Sequence, residues 1–154
     1  VVIGGGGIVP DIVYGDSVVP RAERAWVAAV GTRVSVFQDA LSTYAAQVVR
    51  SGAVKGEAFD VTAAMRDGFW REMRAKHLTV PRDVFDDAHD AVDRVIGSEI
   101  ATQAFGVLGA QRRAVHRDPV VARAVELLQG VGSPTALLER AKAAGTVPKP
   151  LADR

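Results

Sequence analysis

Hydrophobic and polar positions follow two different periods along this chain, and the change falls near residue 17. Before it, apolar residues and glycines predict two short strands, Val1–Ile3 and Ile12–Tyr14, joined by "GGGGIVPD". After it, apolar residues recur about every 3.6 positions, the spacing of helices with one buried face. We therefore divide the chain into a strand segment (residues 1–16), a helical domain (residues 17–148) and a tail (residues 149–154).

Capping residues predict where the helices begin and end. Pro20 suits the first position of a helix that stops at Gly31, and a second helix is predicted from about Arg33 to Arg50. Thr62 suits the N-cap of a third helix. A fourth, long helix opens at Thr79 and Pro81 and runs to "ATQAFG". Two further helices begin at cap-then-proline pairs and close on glycine: Asp118–Pro119 and Ser133–Pro134.

Three of these helices carry an apolar stripe that predicts a shared core. The stripe of the second helix consists of Phe37, Leu41, Tyr44 and Val48. That of the third consists of Met65, Phe69 and Met73. That of the fourth consists of Phe85, Ala88, Val92, Val95 or Ile96, and Ile100. The predicted fold is mainly α, an antiparallel array of about five to six helices preceded by one or two short β-strands.

Composition and charge exclude several classes of protein. The 154 residues are 48% hydrophobic, which suits one domain. The 19 Lys and Arg balance 18 Asp and Glu, whereas nucleic-acid-binding domains are usually clearly basic. The absence of cysteine excludes disulfides, thiolate metal sites and a cysteine nucleophile. No apolar stretch approaches the roughly 20 residues that span a bilayer. The chain starts at Val1, inside an apolar run, so we expect a piece of a longer protein.

The glycine run does not match a phosphate-binding loop. A dinucleotide fingerprint leads directly into a helix, and a Walker loop supplies Lys and Ser or Thr in register. Here Gly4–Gly7 precede Ile8, Val9 and Pro10, and Pro10 biases Val9 towards an extended conformation. A tight connection between strands is the favoured interpretation.

Other candidate groups also favour structural over catalytic roles. Asp86, His89, Asp90 and Asp93 share one face of a predicted helix and could bind a cation, but an exposed charged face is favoured. Ser98 is the most buried serine by pattern, and no lysine is placed to activate it. Two basic segments, Gln111–Arg117 and Phe69–Lys76, leave nucleic-acid binding as a third hypothesis. We assign no catalytic, metal-binding or cofactor-binding residue.

The aromatic residues fall mostly on helix stripes, which predicts core or interface anchors rather than a ligand site. They are Trp26, Phe37, Tyr44, Phe69, Trp70, Phe85 and Phe105.

The opening segment resembles the end of the catalytic domain in the C-terminal processing peptidases, or tail-specific proteases. Their G-x-G-I-x-P-D element is matched by Gly5, Gly7, Ile8, Pro10 and Asp11, and Gly4 and Gly6 complete a four-glycine variant. The helical sequence after it, including "FQDALSTYA" from Phe37 to Ala45, resembles C-terminal extensions of some members.

The resemblance implies a bacterial serine endopeptidase outside the cytoplasm, with a PDZ domain and a Ser–Lys dyad. In that family both dyad residues precede the glycine element, so neither maps onto this chain, which we expect to be inactive alone. Its partners would be the upstream regions of its own parent chain, protein substrates, or a second copy. The alternative hypothesis is a stand-alone helical protein-interaction module without enzymatic activity.

Overall fold

The computed structural model describes Ile12 and residues 19–144, and the protein is mainly α-helical over that range. The helices are α1 (Arg21–Val30), α2 (Val34–Arg50), α3 (Ala63–Ala75), α4 (Arg82–Asp87), α5 (His89–Arg117), α6 (Pro119–Leu128) and α7 (Pro134–Ala143). The predicted strands Val1–Ile3 and Ile12–Tyr14 lie outside the described residues, except for Ile12, which belongs to no regular element. Within the described residues, every helix is too short or too polar to cross a bilayer.

The chain divides into two compact units, and the boundary lies between His116 and Arg117. Val18–His116 form one unit, and among the described residues Ile12 and residues 117–144 belong to the other. A boundary inside residues 17–148 was not predicted.

The core of Val18–His116 forms where α2 packs against α3 and α1 packs against α4. Phe69 on α3 lies at its centre, with its ring centroid 5.7 Å from that of Phe37 and 6.3 Å from that of Phe85. Trp26 meets the edge of Phe37 at 5.6 Å, and the phenol ring of Tyr44 lies 5.9 Å from Phe69. These five aromatic residues are buried, as predicted from their spacing.

The predicted stripes are buried almost completely. Every stripe residue of α2 is buried, and so are Phe69 and Met73 of α3. The stripe predicted for the fourth helix is also buried: Phe85, Ala88, Val92, Ile96 and Ile100. Met65 and Val95 are partly buried against this core. Period and burial therefore agree along the whole core.

The predicted long fourth helix is interrupted. Helix α4 stops at Asp87, and Ala88 leaves helical geometry with φ −89° and ψ 20° before α5 starts at His89. Alanine favours helices, so no local signal marks this break. The break is local, because the N–H of Ala88 still donates to the carbonyl oxygen of Val84 at 3.3 Å and its own carbonyl oxygen accepts from Val92 at 3.0 Å.

Helix α5 folds back on itself at Gly106. This glycine has φ 72° and ψ 178°, a conformation far from the helical region. In a straight helix, residues 97 and 113 would lie about 24 Å apart. Instead, the Nε of Arg113 donates to the carbonyl oxygen of Gly97 at 3.3 Å. Helix α5 is thus a corner between an N-terminal arm, residues 89–105, and a C-terminal arm, residues 107–116.

Helices α6 and α7 form a hairpin with the caps predicted from the sequence. The side chain of Asp118 accepts from the backbone N–H of Val120 at 2.7 Å, and that of Ser133 accepts from Ala136 at 3.2 Å. The guanidinium of Arg140 donates to carbonyl oxygens at the end of α6, including that of Leu127 at 3.2 Å. Backbone-directed bonds hold much of this hairpin together.

Candidate functional site

A polar groove of about 420 Å³ lies where α3, α4 and the start of α5 meet. It is lined by Ala63, Arg66, Asp67, Arg82, Asp86 and His89. Both α3 and α4 begin close to it, so their first turns bring charged residues of three elements into one place. This is the largest concentration of interacting charged side chains that we find in the described part of the chain.

Arg82 joins two walls of the groove. Its Nε donates to Asp86 at 2.7 Å within α4, and its Nη2 donates to Asp67 on α3 at 2.6 Å. Hydrogen bonds to Asp86 and then to Asp67 raise the pKa of this guanidinium further above its already high value. Arg82 therefore keeps its charge at every physiological pH.

Trp70 extends this site along α3. The guanidinium carbons of Arg74 and Arg82 lie 5.0 Å and 5.3 Å from the centroid of its ring. A cation over an indole ring is attracted to the negative face of the π system. Trp70 thus fixes the plane of the Arg82 guanidinium from one side while the two carboxylates fix its edges. We call Arg66, Asp67, Trp70, Arg82 and Asp86 the α3–α4 surface.

The break at Ala88 divides the predicted charged helix face, which consists of Asp86, His89, Asp90 and Asp93, between two helices. Asp86 belongs to α4, whereas His89, Asp90 and Asp93 belong to α5. Asp86 is turned to Arg82, and Asp93 accepts from the Nη1 of Arg66 at 2.9 Å and 3.0 Å. The Nδ1 of His89 lies 3.1 Å from the carbonyl oxygen of Asp86. Within residues 19–144, no three His, Asp or Glu residues converge as metal ligands.

Two lysines of residues 19–144 are held in ion pairs, and the serine singled out from the sequence is exposed. Lys76 pairs with Asp39 at 2.6 Å, and Lys142 pairs with Glu139 at 3.0 Å. Ser98, predicted to be the most buried serine, is exposed. The prediction failed because position 98 lies on the outer face of α5, opposite the stripe that holds Ile96 and Ile100 in the core.

The two basic segments are largely used for contacts inside the protein. In Gln111–Arg117, Arg112 pairs with Glu57 and Arg113 is buried with its guanidinium carbon 4.1 Å from the ring centroid of Phe59. In Phe69–Lys76, Phe69 is in the core and Lys76 is ion-paired.

Exposed apolar side chains form a second feature that sequence reasoning did not single out. Val107, Leu108 and Val115 are exposed on the C-terminal arm of α5. In the other unit, Val120, Val125 and Leu128 are exposed on α6.

Several residues that define the site gave only weak signals in the sequence. Arg66 and Arg82 belong to separate helices, and their pairing with Asp93 and Asp67 depends on how the helices pack. The end of the fourth helix at Gly106 was predicted from "ATQAFG", but the corner that returns the following residues towards Gly97 was not. The burial of Arg113 gave no signal, because it requires that corner.

The family-like element Gly4, Gly5, Gly6, Gly7, Ile8, Pro10 and Asp11 lies outside the described residues. Comparison of the chain with protein-family models, with curated protein sequences and with solved structures found no match.

Proposed function

We propose that this chain is the C-terminal portion of a serine endopeptidase of the C-terminal processing type, and that its helical region contacts protein. The observation that carries the proposal is the G-x-G-I-x-P-D element at Gly5–Asp11, which is followed by a short predicted strand and then by a helical sequence. In the family that it resembles, the Ser–Lys dyad precedes this element.

The α3–α4 surface supports a contact role for the helical region. Arg82 and Asp67 are held by each other and by Asp86, yet the side chains of both remain about half exposed. Charged groups fixed in this way pay little of the conformational entropy that flexible side chains lose on binding. Arg and Trp are also the residue types that dominate the energetics of protein interfaces. A protein substrate or an upstream region of the parent chain is the partner we propose for it.

From the same resemblance we propose that the protein is located in the periplasm or cell envelope of a bacterium. We also propose, from this resemblance, that the parent chain has a PDZ domain upstream.

The second candidate function is a stand-alone helical interaction module. It is favoured by the unit Val18–His116, whose core cluster consists of residues of that unit alone. Such a unit needs no other domain to bury its apolar stripes. Under this hypothesis the α3–α4 surface keeps its contact role, but no peptidase exists.

The test that separates the two is the genomic sequence immediately upstream of the Val1 codon. An open frame of several hundred codons that encodes a PDZ-like stretch, a serine and a downstream lysine would support the peptidase. A start codon directly before Val1 would contradict it and leave the interaction module.

Where the upstream frame is open, the contact role is tested on the whole protein. We expect the double variant Trp70→Ala/Arg82→Ala to reduce cleavage of a folded protein substrate by about thirtyfold, since one interface hot spot contributes about 2 kcal/mol. Cleavage of a short peptide should be unchanged. The exposed Arg50→Ala on α2 is the matched control. Equal losses for both substrates would contradict a role in protein contact.

A further inference from the structure

The corner in α5 depends on a single residue. Gly106 has φ 72° and ψ 178°, a backbone region that is essentially reserved for glycine. No atom lies within 4 Å of the position where a Cβ would stand, so packing does not hold it there. Rotation of these two torsions to helical values would turn both arms of α5 into one continuous helix. Short hinges under strain are the setting in which proteins exchange elements between copies.

The contacts that hold the C-terminal arm join it to residues on the other side of this hinge. Arg112 donates to the carboxylate of Glu57 at 2.9 Å and 2.5 Å. Arg113 covers the ring of Phe59 and reaches the carbonyl of Gly97. An added Cβ at Gly97 would stand 2.5 Å from the Arg113 guanidinium, so glycine is what leaves room for it. A second copy of the chain carries the same receiving groups and could accept the arm without any new contact.

The exposed apolar side chains next to the hinge, Val107 and Leu108, indicate that a second copy of the chain would cover them. With α5 straight, Val107 and Leu108 would follow Ile96 and Ile100 at helical spacing and extend the buried stripe. In the corner they are instead 63% and 68% exposed. Beyond the core of its own chain, the extended stripe would need an apolar partner. The straight α5 of a second copy, related by a twofold axis, presents the same stripe in the antiparallel direction.

We propose that two copies of this chain exchange the C-terminal arm of α5 about Gly106 and form a domain-swapped dimer. Each arm docks on Glu57, Phe59 and Gly97 of the other copy, and the two straightened α5 helices pair through Val107 and Leu108. The chain after residue 116 is carried across with the arm. The inference is independent of the peptidase proposal, because the hinge and the groups that receive the arm all lie within the unit Val18–His116.

The first test replaces the hinge glycine in the full chain. Alanine disfavours the corner but suits a straight helix, so Gly106→Ala should lower the concentration at which dimers form by at least about tenfold. Light scattering after size exclusion measures this. Gly52→Ala and Gly130→Ala are matched controls, since both glycines have a similar positive φ and open space around them. Dimerisation of Gly106→Ala no stronger than that of the controls would overturn the proposal.

The second test leaves the hinge intact and exchanges charges. Glu57→Arg and Arg112→Glu each place like charges together in a closed monomer and in a homodimer. Mixed and refolded together, they restore both opposite-charge pairs only in a swapped heterodimer. We expect native mass spectrometry with one isotope-labelled chain to show heterodimers in at least about tenfold excess over either homodimer. The double variant in one chain should behave as the wild type. A statistical mixture, or monomers alone, would overturn the proposal.

Discussion

The helices of the two units differ in how far they depend on capping side chains and how far on buried side chains. Helices α6 and α7 each begin with a capping side chain followed by proline, yet each buries a single side chain, Leu127 and Ala141. Helices α1, α2 and α4 begin without a side-chain cap and bury four of the five core aromatic residues, whereas the fifth, Phe69, lies on α3, which Thr62 caps. Capping sets where a helix starts, whereas burial determines how much it contributes to the free energy of folding. The comparison teaches that local signals and tertiary stabilisation are separable in one chain.

The largest expected effect comes from the centre of the core. Phe69 is 0% exposed and its ring contacts three other aromatic rings, so Phe69→Ala should lower the free energy of unfolding by about 3–5 kcal/mol. Leu128→Ala in the other unit, where the side chain is 57% exposed, should change it by less than about 0.5 kcal/mol. Urea denaturation followed by circular dichroism measures both. Similar losses for the two variants would contradict the comparison.

An intermediate effect is expected from the caps. Asp118→Ala and Ser133→Ala each remove acceptors for backbone N–H groups and should cost the hairpin about 1 kcal/mol. Because little core supports α6 and α7, amide hydrogen exchange should accelerate throughout the capped helix. Thr62→Ala is the matched control, because Thr62 caps α3 through Met65 in the packed unit. There, faster exchange should stay within the first turn. Exchange that spreads equally in all three helices would refute this distinction.

The smallest effect is a pH dependence inside the core. Burial raises the pKa of the Tyr44 phenol above its usual 10.0, and the charge of Arg71 offsets part of that rise. The folded state then resists deprotonation more than the unfolded state does. Stability is fully present below about pH 10 and falls as the pH rises through the folded-state pKa. Between pH 9 and pH 11, the wild type should therefore lose more in melting temperature than Tyr44→Phe does. An identical loss of melting temperature in the two proteins would show that deprotonation of Tyr44 is not coupled to unfolding.

Less of the candidate site than of the fold could be predicted from the sequence. Asp86, His89 and Asp93 were singled out by their spacing. Spacing along one helix could not show which positively charged side chains of other helices would pair with them. Arg66 and Arg82 reach Asp93 and Asp67 only because α3 lies against α4 and α5. Partners on separate helices leave no periodic signal in a single sequence.

The sequence by itself determined where most helices begin and which residues enter the core. A 3.6-residue period and a cap act within a few residues, so Thr62, Asp118, Ser133 and the stripes through Phe37 and Ile96 could be recognised without a structure. The end of the fourth helix at Gly106 was also predicted, but only the tertiary structure decided the break at Ala88, the return of the chain after Gly106 and the burial of Arg113. The last two depend on groups that are distant along the chain, and their energy appears only once the helices pack together.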